Sequence, residues 1–108
     1  MAGLVGHLRR TSPALDVEVV WPYAAEADLG KIRAFIAQEN VFAADAVAAA
    51  IKAAADNLGR FPFKGHPGED GTREWVVPRF KRFLLIYDVD ETAGTVTILR
   101  VWHQSRHR

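Results

Sequence analysis

Two helix-period segments stand side by side between Ala24 and Leu58, and only β-rich runs follow them. Helices gathered together and then strands gathered together argue for two layers. In the first segment, Ala24 to Glu39, residues Ala25, Leu29, Ile32 and Ile36 fall on one face, with Phe35 beside them. Glu26 and Asp28 lie near its start, where the helix dipole favours negative charge. Gly30 weakens this helix and is expected to mark a close helix–helix approach. Asn40 punctuates the pattern, and a second helix is predicted from Phe42 to Leu58 with Val47, Ile51, Ala54 or Ala55, and Leu58 as its core stripe. Gly59 stands where a left-handed helix cap is expected. The short connection leaves room only for an antiparallel hairpin.

Ahead of the helices, LDVEVVW (residues 15–21) alternates and reads as a half-buried strand ended by Pro22. After them comes a turn-rich loop from Phe61, then three strand candidates: Arg73 to Val77, Arg82 to Asp88 and Thr95 to Trp102. Pro78 breaks the ladder between the first two, and residues 88–94 read as a hairpin loop. The order is therefore β-α-α-β-β-β. The fold class is α+β, a two-layer, mainly antiparallel sheet with a helical hairpin packed on one face, the first strand lying beside the last.

A chain of 108 residues makes one domain, expected here over 15–108, with 1–14 as a flexible leader and a start codon set too early. The leader's apolar part is short and interrupted by Gly6, His7, Arg9 and Arg10, unlike a signal peptide. No apolar run approaches the roughly 20 residues that span a bilayer. The absence of cysteine excludes disulfides, thiolate metal sites and cysteine nucleophiles, and fits a reducing cytoplasm. The four histidines have no metal-ligand spacing; His103 and His107 are four apart, but in a strand-to-tail context. Neither a metal nor a cofactor is expected.

The net charge of +1 hides an asymmetry. Residues 1–58 hold five Lys/Arg against seven Asp/Glu, whereas 59–108 hold nine against six. An anionic or acidic partner for the second half would account for this, and so would a solvated basic tail. Arg79, Lys81 and Arg82 form a cationic turn, read either as an exposed hairpin tip or as an anion-facing patch. Arg73 opens a strand, either facing a partner or pairing with a carboxylate such as Glu74 or Asp88. Arg100 lies in a strand whose two faces both carry apolar residues, so periodicity leaves its direction open. His103 and Arg106 are the candidates for a working site, since a histidine titrates near neutral pH. His66 and His107 read as solvent-facing. Trp21, Trp75 and Trp102 read as core, with Trp102 beside His103 a candidate anchor pocket for a partner side chain.

FPFKGHPG, GTREWVV, FLLIYDVD and VTILRVWHQSR, in this order and spacing, resemble the RelE/ParE superfamily of type II toxin–antitoxin toxins. The chain is most similar to its ParE branch, also termed plasmid stabilisation proteins, over about Val17 to Arg106. The resemblance implies a toxin bound and neutralised by a cognate antitoxin in a hetero-oligomer. ParE-like members poison DNA gyrase, and RelE-like members cut mRNA on the ribosome. Leu84 stands where a RelE-like arginine is expected, and no tyrosine follows Tyr87. These departures favour a gyrase inhibitor that is not an enzyme. Its contacts with target or antitoxin would come from Arg73, Arg79, Arg82, Arg100, Trp102, His103 and Arg106, without sequence-specific nucleic-acid binding. The alternatives are an endoribonuclease using His103, Arg73 and Arg106, and a member that binds antitoxin without toxicity.

Overall fold

The computed structural model of the chain describes residues 8–12 and 17–104; Arg106 and His107 lie outside the described residues. Helix α1 spans Tyr23–Ala37 and follows Pro22, whose carbonyl accepts from the Ala25 and Glu26 amides. Asn40 starts α2, Val41–Arg60, by accepting the Ala43 amide at 2.9 Å through its side chain. That bond satisfies one of the orphan donors of the first turn. Residues 38–40 are all that separates the helices, which pack as the expected antiparallel hairpin.

Strands β1 (Leu8–Ser12), β2 (Val17–Trp21), β3 (His66–Pro67), β4 (Arg73–Val76), β5 (Phe83–Asp90) and β6 (Thr95–His103) form one sheet in the order β1-β2-β6-β5-β4-β3. Among these strands only β2 and β6 run parallel, with Val19 opposite Val96. The architecture is therefore the α+β sheet and hairpin expected, and the first predicted strand does lie beside the last. The structure adds two short strands. Leu8–Ser12, within the stretch read as a leader, pairs antiparallel with β2, and His66–Pro67 pairs with the start of β4.

The core lies between one sheet face and the hairpin. Val19, Trp21, Phe83, Leu85, Tyr87, Val96, Ile98 and Val101 meet Ala25, Val47, Ile51, Ala54, Ala55 and Leu58 there. Leu85, Ile98, Ile51 and Leu58 are fully buried, and each such side chain contributes about 1.5–3 kcal/mol of transfer free energy. The predicted α2 stripe is all inside.

Two glycine expectations are corrected. Helix α2 continues through Gly59, which is buried within its last turn, and the positive-φ residues among those described are Asp70, Gly71 and Gly94. A Cβ at Gly30 would meet nothing within 4 Å, so Gly30 marks no close helix approach.

Candidate functional site

The loop after α2 is held by two neighbours on the sheet. Arg73 of β4 and Tyr87 of β5 are register partners and share a face. The Tyr87 hydroxyl donates to the Pro62 carbonyl at 2.7 Å and accepts the Gly65 amide at 3.1 Å. Arg73 donates to the carbonyls of Phe63 at 3.0 Å and Gly65 at 2.7 Å. A Cβ at Gly65 would stand 2.5 Å from the Tyr87 hydroxyl and 2.6 Å from the Glu74 carbonyl, so only glycine lets the loop approach this closely. Arg73 is thus half-buried and clasps backbone, in place of the carboxylate partner or exposed position read from the sequence. The Phe-Pro-Phe-Lys-Gly run, the Arg of Gly-Thr-Arg and the Tyr of Ile-Tyr are parts of one clasp.

The basic turn between β4 and β5 is built on the Val77–Phe83 pair. The Phe83 carbonyl accepts the Val77 amide at 3.0 Å, and the Phe80 carbonyl accepts the Phe83 amide at 3.0 Å. Phe80 tucks against the core while Arg79, Lys81 and Arg82 stay exposed. Gln104 ties the end of β6 to this turn by donating its backbone N–H to the Arg82 carbonyl and its side-chain amide to the Lys81 carbonyl, both at 2.7 Å.

Beside the turn opens a groove of about 630 Å³ lined by Lys31, Ile32, Phe35 and Ile36 of α1, Val47 of α2, and Phe80, Arg82, Phe83 and His103. Its floor is apolar, its charged members are cations, and no carboxylate lines it among the described residues. His103 faces it with its ring edge-on to Phe83, the centroids 5.2 Å apart. Of the residues chosen from sequence, the groove brings together His103 and Arg82. It adds Ile32, Phe35 and Ile36, which had read as the apolar face of α1, and Lys31, which the sequence reading had not singled out. Phe35 is in fact 67% exposed.

The remaining candidates are dispersed. A β-bulge at Leu99 places Arg100 opposite Ile86 and Ile98 opposite Tyr87. The inward set therefore changes from Val96 and Ile98 to Val101, which settles the facing that periodicity had left open. Arg100 leans onto α1, where it forks onto Asp28 at 2.7 and 3.0 Å. Asp28 also accepts the Val101 amide at 3.0 Å. That amide lies past Thr97, where the register of β2 with β6 ends. Burial opposes the Asp28 charge, but hydrogen bonds from Arg100 and Val101 and the charges of Arg100 and Lys31 outweigh it and lower its pKa. The same bond and charge raise that of Arg100. Trp102 and His103 occupy successive positions on opposite faces. Trp102 stands across from Leu84, which in turn faces Val76, so the middle of the far sheet face is apolar where a nuclease cation was sought. Of the pair expected to form an anchor pocket, His103 lines the groove and Trp102 does not. Arg79 lies over the Phe80 ring at 5.2 Å and lines a separate trough with Trp75, Val77 and Pro78. Arg106 lies outside the described residues.

The sequence matches the family described as ParE toxin of type II toxin–antitoxin system, parDE, over residues 19–108. The chain belongs to the ParE toxin family. It is also 37% identical over 89 residues to Toxin RelE2 of Caulobacter vibrioides, a match covering 82% of this chain and 97% of that one. As a ParE-family toxin of a type II system, it has a cognate antitoxin as its partner. No helix among the described residues is long and apolar enough to cross a membrane.

Proposed function

We propose that the chain is a ParE-like toxin that inhibits DNA gyrase in the cytoplasm, and that its antitoxin neutralises it by seating an apolar, acid-bearing segment in the groove between α1, the basic turn and His103. The observation that carries this reading is the groove itself, an apolar floor rimmed by Lys31, Arg82 and His103. Aliphatic and aromatic side chains of the partner fill such a floor, and its carboxylates meet the rim. The pair forms a hetero-oligomer and needs no cofactor. Inhibition without catalysis is supported by how the other cations are used. Arg73 serves the loop backbone, Arg100 serves Asp28, and the central far face is Val76, Leu84 and Trp102.

The second reading is a ribosome-dependent endoribonuclease. It draws on the RelE name of the Caulobacter relative and on His103 standing in one groove with Lys31 and Arg82, a candidate acid or base beside two cations. The deciding experiment runs the purified chain in two assays: gyrase supercoiling with a check for trapped cleaved DNA, and mRNA cleavage on translating ribosomes. Trapped gyrase with intact mRNA is the expected result. Cut mRNA with normal gyrase, abolished by His103→Ala, overturns it. A chain inert in both assays that still binds antitoxin is the family member without toxicity.

A further inference from the structure

Phe61 and Phe63 leave 54% and 52% of their surface in water, although they sit on a loop held rigidly by Tyr87 and Arg73. Two phenyl rings held in water by a fixed loop offer a partner apolar surface whose burial gains about 25 cal/mol for each Å² removed from water. Both rings are accompanied by cations. Arg60 and Lys64 stand 5.8 and 5.9 Å from the Phe61 centroid, and Arg73 stands 5.3 Å from that of Phe63. Lys64 also lies 4.3 Å from the Trp75 ring, which carries the strip onto β4. A shallow trough follows, lined by alanines of α2, Asn57, Lys64, Trp75, Val77, Pro78 and Arg79, with no carboxylate among its described residues. None of the strip's aromatic or cationic side chains lines the groove assigned above to the antitoxin.

We propose that this strip, from Phe63 through Phe61, Lys64 and Trp75 to Arg79, binds single-stranded nucleic acid. Unpaired bases stack on the exposed phenyl rings, sharing them with the cations that lie over them, while Arg60, Lys64 and Arg79 meet the phosphates. Sequence-tolerant strand binding combines these two elements, aromatic platforms and a cationic track. The platform shape favours a strand over an acidic peptide. Phe61 and Phe63 stand beside the trough and do not line it, so they offer flat faces for stacking and no pocket for a side chain. Base faces and phosphates are common to DNA and RNA, so both sugars bind.

The test is fluorescence anisotropy of the full chain, purified away from antitoxin, with labelled oligo-dT and oligo-rU of about 12 nucleotides and a duplex of the same length. The two single strands should bind within about threefold of each other and the duplex at least about tenfold more weakly. Phe61→Ala with Phe63→Ala should weaken the single strands at least about tenfold. Lys64→Gln should reduce the slope of log affinity against log salt by about 0.7, the share of one phosphate on a single strand. These side chains are at the surface, and circular dichroism checks that the variants fold. No binding of either strand at about 50 mM salt overturns the proposal. So does equal binding of the duplex, and so does binding undiminished in the phenylalanine double variant.

Discussion

Asp28 shows how much one carboxylate can organise. It accepts from the Arg100 side chain and from the Val101 amide, fastening α1 to the edge of β6 where β2 no longer covers it. Its pKa is lower in the folded chain than in the unfolded one. The stabilisation is therefore complete above the ordinary carboxylate value and disappears as pH falls through the lowered one. Asp28→Asn should cost about 1–2 kcal/mol near neutral pH, water around the half-exposed Arg100 limiting the loss. Melting curves of both proteins from neutral to strongly acid pH should converge at the acid end; a constant gap would show that the charge is irrelevant. Tyr87 serves the loop in the same way. Tyr87→Phe removes a buried hydroxyl and leaves the Pro62 carbonyl and the Gly65 amide without their partner. A loss of about 1–3 kcal/mol in urea unfolding is expected.

Elements differed in how far they could be read from sequence. The helices were legible because Val47, Ile51 and Leu58 repeat at the helical period and Asn40 is a strong cap. The long strands were legible from their apolar runs and from Pro78. The bulge at Leu99 was not, because one extra residue shifts the alternation without changing composition. Two-residue β3 is too short to carry a period. Gly59 was misread as a cap because a glycine after an apolar stripe looks alike whether the helix stops there or runs one residue further. Gly30 was misread for a related reason: sequence records the missing Cβ but not the space around it. That space is open, so Gly30→Ala should stabilise the protein by about 1 kcal/mol through helix propensity. Thermal denaturation measures this directly, and a destabilised variant would mean that the helix surface is occupied.

Across the whole molecule, the site proved less legible than the fold. Sequence identified the second half as cationic but could not show that Arg73 and Arg100 are consumed by backbone and carboxylate partners. It also could not show that α1 carries more apolar surface than α2 covers. The excess, Ile32, Phe35 and Ile36, lines the groove. Phe35→Glu should leave stability within about 0.5 kcal/mol, because the side chain is mostly exposed. The same change should weaken antitoxin binding at least about tenfold if that groove is the seat, as isothermal calorimetry with the purified antitoxin would report. The parallel pairing of β2 with β6 bears on the order in which the protein can form. The helical hairpin leaves the ribosome with its apolar face exposed, and the strand that joins β2 to the rest of the sheet is translated after every other element described. Closing that distance depends on chain already made, so native structure cannot precede β6. A chain cut short before β6 therefore lacks both the strand that joins β2 to the rest of the sheet and the His103 that lines the groove.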